Sequence, residues 1–260
     1  MRVLVTRPAA QAAAWVAQLR RAGLDAHALP LIDIAPPPDA AAVHGAWLRL
    51  GGYRAVMFVS PNAVEQFFAL RPPAAAWPEA VLAASPGPGT DTALQAAGVP
   101  ATQRLQPDSA AVQFDSTSLW ERLRELSWPG ERVLVVRGDG GRNWLAERLR
   151  EAGAEVEFVC AYRRHAPLLD AGAQALLGDA IARPAQHLWF FSSSEAVDHL
   201  ERCCAERGLH PDWSQARALA THPRIVQRAR RLGIVEPVEC RPSMEAVTAA
   251  IERSIQSSAP

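Results

Sequence analysis

The chain contains no lysine; all 27 basic residues among its 260 positions are arginine. That absence removes Schiff-base chemistry, a lysine general base and the phosphate-binding lysine of a P-loop. The four cysteines, Cys160, Cys203, Cys204 and Cys240, form no C-x-x-C pair and no zinc-like spacing. Adjacent Cys203 and Cys204 read as reduced structural thiols. Seven histidines include no H-E-x-x-H, so neither a metal nor a cofactor is expected. Neither sign of charge is in excess, with 27 acidic residues against 27 basic ones, and no global field recruits nucleic acid or an anionic membrane. No apolar run approaches the roughly 20 residues that span a bilayer. The Met1-Arg2-Val-Leu-Val start enters a strand without an apolar leader, so a cytoplasmic protein is expected. Tyrosine is nearly missing, with only Tyr53 and Tyr162.

What the chain does have, it has twice. Val3-Leu-Val-Thr-Arg7 returns as Val133-Leu-Val-Val-Arg137, and each is followed by a helical stretch ending in glycine, at Gly23 and Gly153. Phe58-Val-Ser-Pro-Asn-Ala-Val64 is answered by Phe191-Ser-Ser-Ser-Glu-Ala-Val197. A looser pair sets Ala83-Ala-Ser-Pro-Gly-Pro-Gly-Thr90 against Ala218-Leu-Ala-Thr-His-Pro-Arg-Ile225. Two copies are too few for a solenoid, which leaves a two-lobed protein with a site between the lobes.

Short apolar runs alternate with segments of helical period, the pattern of βα units on a parallel sheet. Strands are expected near Val3–Thr6, His27–Ile32, Arg54–Val59, Val81–Ser85 and Thr102–Leu105. Five more fall near Val133–Arg137, Glu155–Tyr162, His187–Phe191, Arg217–Ala220 and Val235–Glu239. Gly23, Gly98, Gly153, Gly208 and Gly233 read as helix stops. The fold class is α/β, with two flavodoxin-like parallel-sheet lobes of five strands each. The proline run after Ile34 and the Arg163–Pro167 segment read as crossings between lobes. Lobe 1 is then discontinuous, 1–34 and 168–260; lobe 2 is inserted, 39–162; the linkers are 35–38 and 163–167. A cut near residue 128 would follow the repeat instead, but the prolines sit where an inserted lobe needs them.

Ligands of open parallel sheets bind beyond the carboxyl ends of the strands, and small polar residues gather there. Ser60 and Asn62 follow one expected strand; Ser192, Ser193 and Ser194 follow its counterpart. Gly87 and Thr90 form one further turn, Thr221 and His222 its partner. Arg137-Gly138-Asp-Gly-Gly-Arg142 is a glycine-rich turn between two guanidinium groups. Together they offer backbone N–H groups at helix starts, which suits carboxylate or phosphate. Each alone also reads as an ordinary helix cap. Arg7 and Arg137, ending equivalent strands, read equally as surface residues or ligand clamps. Tyr162 ends a strand and could face the cleft or pack at a sheet edge. No G-x-G-x-x-G spacing supports a dinucleotide.

The assembled motifs resemble the uroporphyrinogen-III synthase family across essentially the whole chain. The strongest part runs from Val133 through Arg142 and Leu145–Val156 to Ala161-Tyr-Arg-Arg164; the Val3–Pro8 start, Phe58–Val64, Phe191–Val197 and Thr221–Ile225 also match in order and spacing. Two departures stand out: Ser85-Pro86 before Gly87, and Thr117 where the family carries an acid. The resemblance implies cyclisation of hydroxymethylbilane, a linear tetrapyrrole bearing eight carboxylates, to uroporphyrinogen III. Water is lost, ring D is inverted through a spiro intermediate, and no cofactor is used. It also implies that Tyr162 assists departure of the hydroxyl, and that Arg7, Ser60, Asn62, Gly87, Thr90, Arg137, Gly138, Ser192, Ser193, Ser194, Thr221 and His222 contact substrate. A monomer that takes its substrate from hydroxymethylbilane synthase is expected. The main alternative is a non-catalytic sensor of tetrapyrroles or carboxylates with the same fold, disfavoured because the sequence reaches Ala259-Pro260 without an output domain. A periplasmic anion-binding protein and a sugar-phosphate or nucleotide enzyme are weaker alternatives.

Overall fold

The computed structural model describes residues 1–111 and 113–256; Ala259 and Pro260 lie outside the described residues. The chain divides into two compact units, Met1–Asp33 with His165–Pro260, and Ile34–Arg164.

The first unit contains β1 (Arg2–Val5), α1 (Ala9–Arg21) and β2 (Ala26–Ala28). It resumes with α7 (Ala171–Ala182), β9 (His187–Phe191), α8 (Ser194–Glu206), β10 (Arg217–Ala220), α9 (Pro223–Leu232), β11 (Val238–Glu239) and α10 (Met244–Gln256). Its sheet runs β11-β10-β9-β1-β2, with every neighbouring pair parallel. That is the flavodoxin-like order. β1 and β9 occupy the middle, and β9 is buried at every residue because parallel strands are covered on both faces. Val3, Val5, Leu188 and Phe190 pack with Leu19, Val247 and Ile251 of α1 and α10.

The second unit contains β3 (Asp33–Ala35), α2 (Ala40–Leu48), β4 (Ala55–Phe58), α3 (Pro61–Ala69), β5 (Leu82–Ala84), α4 (Pro88–Ala96) and β6 (Arg104–Leu105). After these come α5 (Ser116–Leu123), β7 (Arg132–Gly138), α6 (Trp144–Glu151) and β8 (Glu155–His165). Its sheet order is β3-β8-β7-β4-β5-β6. Residue parity divides the core between two faces. Val56, Phe58, Leu134 and Val136 pack with α2 and α3, while Met57, Val133 and Val135 pack with α5 and α6.

The expectation of five strands per lobe needs correction here: the second sheet has six. The added edge strand is β3, which includes Ala35, and β8 runs on through Arg163–His165. These are residues that the sequence pattern assigns to linkers. Prolines at 36–38 end β3 but do not stop the residues before them from pairing, since the position preceding proline favours extended backbone. β2 and β11 are shorter than expected; β11 is cut to two exposed residues after Pro237. The five expected helix-stop glycines all adopt positive φ, from 63° at Gly208 to 114° at Gly233. A Cβ there would meet its own backbone.

Candidate active site

In the second unit, the carboxyl ends of β4, β7 and β8 converge. β4 runs into Ser60, which caps α3 by accepting the Ala63 N–H at 3.2 Å, with Pro61 in the first turn. The same Ser60 Oγ lies 2.9 Å from the hydroxyl of Tyr162 near the end of β8. Tyr162 is 2% exposed, so its ring is core and its hydroxyl is the polar tip. β7 ends at Arg137 and Gly138 and opens into the glycine turn. These residues line a cavity of ≈ 250 Å³ whose floor includes Met57, Val135 and Phe158. Three arginines line it, Arg137, Arg142 and Arg164, and among the described residues no carboxylate does. Arg137 stacks over the Phe158 ring at 4.6 Å, and its Nη1 donates to Asn143 Oδ1 at 2.7 Å. It makes no ion pair among the described residues, so its charge remains available to an anion.

Tyr162, Ser60, Arg137 and Gly138 are therefore brought together. The other expected contacts of this unit stand apart from the cavity. Asn62 lies in the first turn of α3. Gly87 precedes α4 in extended backbone, and Thr90, 4% exposed, packs inside the unit. A Cβ on Gly87 would come within 2.8 Å of the Phe114 Cβ, so packing accounts for that glycine.

In the first unit the expected residues sit at the carboxyl edge of β1, β9 and β10. Ser193 caps α8 by accepting the Glu195 N–H at 3.2 Å, between Ser192 and Ser194. Thr221 follows β10, and His222 caps α9 through Nδ1, which accepts the Arg224 N–H at 3.1 Å. Arg7 lies over the Trp15 ring at 4.6 Å with its buried Nε unpaired. Burial without a carboxylate lowers its pKa to about 10, and it stays charged at neutral pH.

Arg142, Arg164, Ser116 and Phe158 line the cavity and were not among the expected site residues. Arg142 was legible as the second guanidinium of the glycine turn. Arg164 was hidden because its segment read as a linker, and Ser116 because its stretch read only as a departure from a motif. Among the described residues no group of three His, Cys, Asp or Glu could hold a metal ion.

The family model described as uroporphyrinogen-III synthase HemD matches residues 13–249. The uroporphyrinogen-III synthase of Escherichia coli strain K12 is 28% identical over 242 residues, covering 90% of this chain and 92% of that one. The Synechococcus elongatus synthase is 30% identical over 217 residues, covering 82% and 77%. A mutant uroporphyrinogen III synthase from the extremely thermophilic bacterium Thermus thermophilus superposes with a TM-score of 0.58 at 17% identity, over 99% of both chains. The Helicobacter pylori uroporphyrinogen-III synthetase gives 0.55 at 17%, over 98% and 100%. At that identity the two structures speak for the fold.

Proposed function

The chain belongs to the uroporphyrinogen-III synthase family, and on that premise we propose that it cyclises hydroxymethylbilane to uroporphyrinogen III, losing water and inverting ring D through a spiro intermediate. The observation that carries this reading is the Tyr162–Ser60 hydroxyl pair in a cavity lined by three arginines and, among the described residues, no carboxylate.

The cavity is at the small end for organic ligands, and its ≈ 250 Å³ suits one pyrrole ring with its acid side chains rather than a whole tetrapyrrole. Arg137, Arg142 and Arg164 supply charge-assisted hydrogen bonds to those carboxylates, and Phe158 and Val135 supply apolar surface for the ring. Tyr162 donates a hydrogen bond to the departing hydroxyl, and Ser60 donates to the Tyr162 oxygen as it gains negative charge. Asn62 and Gly87 in this unit, and the helix-start turns at Ser192–Ser194, Thr221 and His222 with Arg7 in the other, are each unit's further candidates for binding carboxylates. Because the substrate closes unaided to the uninverted isomer, the protein's main contribution is to hold the attacking carbon of ring D in one near-attack geometry.

We further place the protein in the cytoplasm as a monomer receiving substrate from hydroxymethylbilane synthase. No helix among the described residues is long and apolar enough to cross a membrane. The test is a coupled assay in which porphobilinogen and its deaminase generate hydroxymethylbilane in situ. After oxidation, uroporphyrin isomers I and III are separated chromatographically. Isomer III should dominate; isomer I alone, from folded protein, would leave a module that binds without turnover.

A further inference from the structure

Strand β8 breaks its own alternation at Tyr162. Val159 and Ala161 pack in the cluster formed with α2, α3, Val56 and Phe58. A strict two-residue period therefore assigns Cys160 and Tyr162 to the opposite face. Tyr162 instead belongs to the same cluster as Val159 and Ala161. The neighbouring strand shows how: Arg137 pairs with Cys160, but the next residue, Gly138, pairs with Tyr162. One step along β7 spans two along β8, and a bulge of this kind re-aims the side chain that follows it.

β7 meets the re-aimed ring with a residue that has no side chain. A Cβ on Gly138 would lie 3.0 Å from both Cε2 and Cζ of Tyr162 and 3.4 Å from its hydroxyl oxygen. Gly138 is not among the glycines with positive φ, so its backbone does not require glycine. The ring does. Ser60 meets the hydroxyl at 2.9 Å. The internal repeat supplies a comparison within the chain. The offset that pairs Arg7 with Arg137 and Gly23 with Gly153 also pairs Pro8 with Gly138 and Ile32 with Tyr162. The copy without the tyrosine also lacks the glycine.

We propose that Gly138 is a positioning residue: its missing side chain, together with the bulge at Ala161, seats the Tyr162 ring so that its hydroxyl meets Ser60 in the arginine-lined cavity. This rests on the reading of Tyr162 as the group that assists the leaving hydroxyl, and it makes Gly138 a support for that group rather than a substrate contact.

The test uses the full chain carrying Tyr53→Phe, which leaves Tyr162 as the only tyrosine, so tyrosinate absorbance against pH reports on it alone. Gly138→Ala should shift that titration and lower kcat about tenfold, the effect of losing one well-placed hydrogen bond, while KM changes less than about twofold. An unshifted titration overturns the proposal. A second measurement covers a variant that folds poorly: Gly138→Ala should lower the denaturation midpoint when Tyr162 is present and leave it unchanged in the Tyr162→Ala background. Equal losses in both backgrounds mean that the ring is not what Gly138 accommodates, and also overturn the proposal. If Tyr162→Phe instead turns over at the parental rate, the reading of Tyr162 in the reaction fails, while titration and coupling still decide the positioning.

Discussion

Replacing Tyr162 by phenylalanine removes one oxygen and little else. The ring stays 2% exposed in the same cluster, so no cavity opens. Ser60 loses its 2.9 Å partner but keeps the Ala63 N–H, so the α3 cap survives. The stability cost is that of one net hydrogen bond, about 1 kcal/mol, and a chain of this length should melt roughly 2–4 °C lower. The chemical cost is larger. A hydrogen bond to a leaving oxygen that gains charge contributes about 1.5–3 kcal/mol, which is about 10- to 150-fold in kcat. KM should stay within about twofold, because the proposed binding mode gives the carboxylates to the arginines and not to Tyr162. The coupled assay carries a second readout. Slower enzymatic closure lets more substrate cyclise spontaneously, so the fraction of isomer I should rise with the loss of rate. Parental kcat and an unchanged isomer ratio, in protein of native circular dichroism, would refute the assignment of Tyr162 to the leaving group.

Ser60→Ala should cost about 1 kcal/mol for the α3 cap and about 1 kcal/mol for the Tyr162 bond, read by urea denaturation, with kcat falling less than about tenfold. A thousandfold loss would contradict binding spread over many turns. Gly87→Ala forces a Cβ to within 2.8 Å of the Phe114 Cβ, an atom fixed to its backbone, and should cost about 1–3 kcal/mol; an unchanged midpoint would show that the Phe114 segment yields freely. His187 is 1% exposed, and its Nδ1 contacts the Arg183 carbonyl at 3.0 Å. Burial holds its pKa below the ordinary value, helped by the charges of Arg2, Arg183 and His27. Asp179 lies 3.2 Å from Nε2 and pulls the other way, but it is shared with Arg2 and Arg183, so burial prevails. As pH falls through about 6.5 the unfolded chain protonates this histidine while the folded one resists. Stability should therefore drop from about pH 7 downward until folded His187 itself protonates, and His187→Gln should flatten that slope.

The parallel strands were legible because burial on both faces makes them short apolar runs, and several of their carboxyl ends because a capping residue or a first-turn proline marks the helix start, with both at Ser60-Pro61 and His222-Pro223. Ser60, Ser193 and His222 are helix caps that such a pattern finds directly. β3 was not legible, since Asp33–Ala35 has no apolar alternation and borders the proline run; its partner on β8 is supplied only by the tertiary fold. The Tyr162–Ser60 contact was equally hidden. The two residues are 102 positions apart, and a regular β8 would have faced Tyr162 the other way. A single unpaired residue in a strand leaves no periodic signature strong enough to read, so the bulge that builds the site is what sequence pattern misses. Arg7 and Arg137 show the same limit in another form. Their equivalence in the repeat was visible, but Arg7 packs on Trp15 while Arg137 packs on Phe158 beside the glycine turn.

The repeat and the sheets together explain why the first half of the sequence is not a unit by itself. Strand by strand, β2-β1-β9-β10-β11 in one sheet corresponds to β8-β7-β4-β5-β6 in the other, with β1 matching β7 and β9 matching β4, the pairs that carry the repeated motifs. Each half of the sequence thus holds a full set of five such strands. Yet β1 pairs with β9 of the second half, and β4 pairs with β7. The halves have exchanged their first two strands. Although the proline run already marks an inserted lobe, the apolar strand pattern by itself cannot separate β4 from β9 as the neighbour of β1, because both present the same kind of apolar strand followed by a capped helix. Chain connection can. After β2 the chain enters β3, which pairs with β8, so the polypeptide is already committed to the second sheet before β4 begins. The edge strand absent from the expected set is therefore the element at which the chain passes from the first sheet to the second. It lies where the first proline-rich crossing was placed, and extended backbone before Pro36 serves both as passage between units and as a strand.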